Sequence, residues 1–167
     1  MKRALRSIAV LAVFFVAFGG GWLTGRLGIG SVVEPASLTE VERQFAERMR
    51  GVSLVGTFTI AGREKANPQP DRYDIASVEK VGDDQWRFNA KMDCCGVKGM
   101  TLPIVVPMRF IGDTPVIMMT NHSLPGLGTF TVRVFFYGDR YSGTWQHGPV
   151  GGHMSGRIDE ATESSSR

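Results

Sequence analysis

At 167 residues the chain has room for one domain and an appendage, and not for two independent cores. Its formal charge of +3 is unevenly placed: Lys2, Arg3, Arg6 and Arg26 are four of the 19 basic residues and no acidic residue precedes Arg26, so from Leu27 onward 15 basic residues stand against 16 acidic ones. A near-neutral body without a Lys/Arg cluster lacks the electrostatic footprint of a nucleic-acid binder, and that class of partner is excluded.

Residues 1–26 read as a positively charged arm followed by an apolar run. Ile8 to Gly25 comprises 18 residues without a charge, near the lower limit for crossing a bilayer, where about 20 are typical. Two fates compete. Ala17-Phe18-Gly19 offers a small-x-small cleavage site for a signal peptide. The apolar run continues past it, however, and Trp22 near its outer end suits an interfacial position, so the reading adopted is an uncleaved signal anchor or transmembrane helix. Both fates export the rest of the chain, which places the domain on the exported side of a membrane, in a bacterial periplasm or at a cell surface. No cysteine stands just after the apolar run to take a lipid.

Residues 27–37, punctuated by Gly, Ser and Pro, read as a linker. Residues 38–159 read as the domain. It opens on a short helix: Ser37 and Glu40 have capping-box spacing, Leu38, Val41, Phe45 and Met49 recur at intervals of three and four, and Gly51 supplies the stop. From Val52 the period switches to two. Val52–Ile60 and Gln85–Met92 alternate apolar with polar residues, and Arg72–Val81, Leu102–Ile111, Thr114–Thr120, Gly128–Tyr137, Arg140–His147 and Gly152–Ile158 complete eight candidate strands. Residues 160–167, ending in Ser-Ser-Ser-Arg, read as a disordered tail.

Gly-Asp recurs at Gly82-Asp83, Gly112-Asp113 and Gly138-Asp139, each time between two strand-like runs, and each pair reads as a hairpin turn. Pro103, Pro107 and Pro115 cannot donate to a ladder, so irregularity is expected between Leu102 and Pro115. Consecutive hairpins without intervening helices indicate an all-β, up-and-down antiparallel barrel of eight strands. A two-sheet sandwich is the alternative, although its long crossing connections are missing.

A short helix leading into a first strand of such a barrel, with Gly56-Thr57-Phe58 where a Gly-x-Trp signature would stand, resembles the lipocalins and their calycin relatives. The resemblance covers roughly residues 37–159. It implies that Gly56 and Phe58 close the barrel bottom, with Arg157 of the last strand laid across the Phe58 ring in a cation–π contact. It also implies a lumen that either is filled by side chains or holds one small ligand. The barrel-interior residues expected to meet such a ligand are Phe58, Trp86, Phe88, Met108, Phe110, Met118, Phe130, Phe136 and Trp145.

The remaining chemistry-bearing residues carry weaker patterns. His147 and His153 flank Gly-Pro-Val-Gly-Gly and His122 lies in another loop, so three imidazoles could converge on zinc, but a final hairpin whose turn His147 and His153 merely border is the simpler account. Cys94 and Cys95 are adjacent and lack partners at metal-ligand spacing. A vicinal disulfide and an intermolecular pairing are open, and two small residues at a strand end is the reading adopted. No nucleophile elbow, Walker or dinucleotide pattern occurs, so no catalytic residue, metal or cofactor is assigned. The expected function is a membrane-tethered, exported barrel binding a small apolar or amphipathic ligand such as a lipid. An envelope scaffold with a filled barrel and a protein partner is the alternative, and a hydrolase built on the histidine-bearing loops is a distant third.

Overall fold

The structure is a computed structural model that describes residues 32–63, 67–94, 97–124 and 126–160. The anchor expected over residues 1–26 and most of the expected tail lie outside the described residues. Among the described residues no helix is long and apolar enough to cross a membrane. The cysteine pair also lies outside the described side chains.

A helix, α1 (Glu40–Arg48), is followed by eight strands: β1 (Val52–Phe58), β2 (Gln69–Lys80), β3 (Gln85–Cys94), β4 (Val97–Ile111), β5 (Thr114–Leu124), β6 (Gly128–Tyr137), β7 (Arg140–His147) and β8 (Val150–Glu160). Each strand pairs antiparallel with the next, and β1 returns to β8 from Val52 opposite Glu160 to Phe58 opposite Met154, which closes the ring. The expected up-and-down barrel is formed, and no sandwich. Glu160, read as tail, is the last residue of β8.

Alternation sets the two faces of the wall. Trp86, Phe88 and Ala90 of β3 oppose Val106, Ile104 and Leu102 of β4, while Val132, Val134 and Phe136 of β6 oppose Trp145, Gly143 and Tyr141 of β7. These rows face the lumen. Arg87, Glu79, Ser77 and Asn89 form a hydrogen-bonded network on the outside.

Three of the turns obey one physical rule. Gly112, Gly138 and Gly148 have φ of 64°, 53° and 57°, and each begins a two-residue connection between paired residues: Ile111 and Thr114, Tyr137 and Arg140, His147 and Val150. Positive φ at the first central position alone matches strand twist in a type II′ turn. Gly148-Pro149 is thus a tight turn, with Pro149 at the second position, and Val150 to Gly152 belong to β8. Gly82-Asp83 departs from the expected two-residue turn: Val81 N–H donates to Gln85 O at 2.8 Å across a wider connection.

The helix stops one end of the barrel. Its capping box uses Thr39 and Glu42, two residues later than the Ser37–Glu40 pair expected from spacing. Ser37 instead ends a 3-10 turn over Pro35–Ser37 and donates to Glu34 O. The later register also lets Glu42 reach Lys80 on β2 at 2.5 Å, so one carboxylate both caps the helix and ties it to the wall. Burial pushes Glu42 up, but the Lys80 ammonium and the Thr39 backbone N–H hold it below the ordinary carboxylate range. Phe45 and Met49 are driven into the barrel mouth, where the Phe45 ring meets Trp86, Phe110 and Phe136 at 6.1, 5.8 and 5.5 Å. Val33 N–H donates to Lys80 O at 2.9 Å, so the chain enters at this capped end. Ladders, cap and core all lie within residues 32–160, which therefore carry a complete fold of their own.

Opposite the cap the wall is incomplete. The β4–β5 ladder comprises only the pairs from Ile111–Thr114 to Met108–Ile117. Upstream of Met108, β4 stays paired to β3, and beyond Ile117, β5 stays paired to β6, but the two strands part company. The cause is in the alternation of backbone groups. Counting back from the Ile111–Thr114 pair, the residues whose N–H groups face β5 are Arg109, Pro107, Val105 and Pro103. Prolines occupy two of them and have no N–H to give. A bulge in β5 after Met119, with Asn121 at φ 48°, completes the divergence. The irregularity expected between Leu102 and Pro115 is therefore a seam. His122 spans it, its Nε2–H donating to Val105 O at 3.0 Å, since a carbonyl can only accept.

Because Phe45 is the only helix residue whose ring joins three barrel aromatics in these contacts, Phe45→Ala is expected to cost about 3–5 kcal/mol. Urea unfolding monitored by far-ultraviolet circular dichroism measures this, and Trp86, at 1% exposure, should shift its emission to the red.

Candidate functional site

The lumen has two unlike halves. At the capped end Trp86, Phe88, Met108 and Phe136 are buried and aromatic rings bridge the bore, as in the Phe88–Phe136 contact at 6.5 Å between β3 and β6. Phe110 adds its ring to Phe45 and Trp86. Five of the expected interior residues therefore fill space. In the open half Phe58, Phe130, Trp145 and Met154 remain only partly buried. Phe58 meets Trp145 edge-on at 5.7 Å, and Phe130 stacks on His147 at 4.5 Å near the rim.

Two expectations are corrected. Met118 points outward, 39% exposed, opposite Arg133; its neighbour Met119, 5% exposed, faces the lumen opposite Val132. The two-residue turn at Gly112-Asp113 makes Met108 oppose Ile117, so Met119 continues that face and Met118 falls on the other. Counting from the turn was the signal that would have separated them. Arg157 lies on the outer face, its side chain 67% exposed and 3.6 Å from Asp159, so it does not cross Phe58. In β8 the residues facing Phe58 and Gly56 are Met154 and Gly156, and Arg157 has the opposite parity.

Where β1 meets β8, Tyr141 takes the place expected of the arginine. One row of cross-strand neighbours runs from Tyr141 on β7 through Gly156 on β8 and Gly56 on β1 to Asp71 on β2. The phenol lies over the two glycines: a Cβ on Gly56 would come within 2.5 Å of Tyr141 Oη, and one on Gly156 within 2.6 Å of the Tyr141 ring. Only glycine leaves room for this side chain to cross. It donates to Asp71 Oδ1 at 3.2 Å. Asp71 is 2% exposed, and its Oδ2 has no partner among the described residues. Burial pushes this carboxyl above its ordinary value, against the pull of hydrogen bonds from Tyr141, its own backbone and Tyr73. Trp145 Nε1, in the same half of the barrel, is likewise buried without a partner.

The histidines do not converge. His122 is engaged with Val105, His147 sits on the inner rim against Phe130, and His153 shares the outer face with Thr144. Among the described residues no group of three His, Cys, Asp or Glu side chains is placed to share a metal ion. Asp71 was missed from the sequence because the second strand was read from Arg72, which left Asp71 in a loop; continuing the alternation of Ile75 and Tyr73 back by two residues would have placed it inside.

Comparison of the chain with protein-family models, curated proteins and solved structures finds no match.

A carboxyl whose folded-state value is raised favours the fold fully below its ordinary value and loses that contribution as pH rises through the raised one. Asp71→Asn is therefore expected to raise the urea midpoint at pH 7. The advantage should shrink to nothing in acid below the ordinary value of 3.8, which paired unfolding curves across that range will measure.

Proposed function

We propose that the chain is a membrane-tethered β-barrel module on the exported side of a membrane, whose open half holds a small apolar or amphipathic molecule such as a lipid. The observation that carries this reading is the lining of that half: Phe58, Phe130, Trp145 and Met154 face inward yet stay half-buried. A barrel of this size holds at most one small guest, and apolar lining that keeps part of its surface uncovered favours one. The seam between β4 and β5 adds a lateral way in. The tether reading rests on residues 1–26 and on the docking of Val33 at the capped end, which leaves the open end free. With about 20 Å of extended chain between Arg26 and Val33, the barrel stays close to the bilayer, and such tethering raises local concentration without tight affinity. At the level of architecture this is a lipocalin-like plan.

The filled capped half and the exposed Ile111, Phe135 and Tyr137, at 69%, 47% and 71%, favour a second reading, a scaffold that meets a protein partner through its outer face.

The full chain, purified from membranes and examined by native mass spectrometry before and after organic extraction, separates the two. A bound lipid at about one per chain is expected, lost on extraction and regained from added vesicles. A barrel that is empty and takes up nothing supports the scaffold.

A further inference from the structure

The open half contains two buried polar atoms without partners among the described residues, and they are of opposite kind: Asp71 Oδ2 accepts and Trp145 Nε1 donates. Unsatisfied buried polar atoms are rare and each calls for a cause. Neither is demanded by the fold. Tyr141 is held over its glycine platform and by Asp71 Oδ1, and the Trp145 ring is seated by Phe58. Both side chains face the lumen, on either side of Phe58: Trp145 touches that ring, and Asp71 stands two residues from Gln69, the exposed rim residue that opposes Phe58 across the β1–β2 ladder. Two residues of strand is about 7 Å, so the carboxylate lies within a head group's reach of the open end. The cations nearest along β2 are already engaged, Arg72 with Asp74 on the outer face and Lys80 with Glu42 beneath the cap.

We propose that this half of the barrel selects an uncharged amphiphile whose polar group both donates and accepts hydrogen bonds, an alcohol or a carboxamide, with its donor on Asp71 Oδ2, its acceptor on Trp145 Nε1 and its chain against Phe58 and Met154. The proposal rests on the lumen-binding reading above and names the class of guest. A carboxylate head offers acceptors only and brings a second negative charge to Asp71. An ammonium head offers donors only and leaves the indole N–H unpaired. A hydroxyl or an amide carries both a donor and an acceptor, one for each atom, and a site built on such a pair rejects heads that leave one of them orphaned.

Isothermal titration of the chain from Leu27 onward with decanol, decanamide, decanoate and decylammonium tests this. Decanol or decanamide should bind at least about tenfold more tightly than either charged probe, and which of the two is preferred distinguishes a hydroxyl from an amide guest. Asp71→Ala and Trp145→Phe should each weaken the preferred probe by about tenfold or more while retaining the wild-type circular dichroism spectrum. The head-group comparison needs no variant, and the two variants are independent of each other. Equal affinity for all four heads, tighter binding of a charged probe, or unchanged affinity in both variants overturns the proposal and leaves lumen binding standing. Failure of all four probes to bind the wild type overturns both.

Discussion

The structure depends on a close approach of backbone at one place, where β8 is laid against β1. There Gly156 faces Gly56, and a β-carbon on Gly56 would lie 2.2 Å from the Ser155 carbonyl oxygen. The missing side chains allow the first and last strands to pair along the whole of β1, and they clear the inner wall for Tyr141 to cross to Asp71. Ring closure satisfies the edge groups that an open meander of eight strands would present to water or to other chains. Burial is a consequence of it: the rows of β3, β4, β6 and β7 become a core only because the sheet returns on itself.

The same ring is finished differently at its two ends. At one, α1 supplies Phe45 and Met49 as a stopper, and Trp86, Phe110 and Phe136 complete a packed aromatic layer. At the other, two prolines on the β4 edge remove donors that β5 would need, and the strands separate with His122 as a strut between them. The contrast leaves Phe58, Phe130 and Trp145 only partly buried toward the open end. It also puts Asp71 and Trp145, polar atoms that a packed core would exclude, in the half that is not packed.

Much of the plan was legible in linear form because it rests on local physics. The period of two in Val52–Phe58 and Gln85–Met92, the Gly-Asp pairs and the prolines of β4 each act through neighbours in the chain. Residue faces were legible only as far as the register could be counted. Phe58, Trp86, Phe88, Met108, Phe110, Phe130, Phe136 and Trp145 point inward as alternation requires, whereas Met118 and Met119 cannot both do so, and the turn at Gly112-Asp113 decides for Met119. The helix cap shows a limit of another kind. Ser37–Glu40 and Thr39–Glu42 have equal spacing, and the pair that prevails is the one whose glutamate also finds Lys80 on a strand 38 residues away.

By itself, then, the amino-acid order determined an all-β meander with one amphipathic helix ahead of it, eight strands, and a place where pairing would fail, since hydrophobic period, turn chemistry and missing donors are properties of short stretches. The tertiary structure alone decided what the closing strands share and what the lumen contains. Tyr141 and Asp71 are 70 residues apart and meet only after β8 has found β1. Arg157 lies outside because the register of that last ladder gives its neighbour Gly156 to the inner face. Long-range register has no local signature, because it is set by the closure of the ring as a whole.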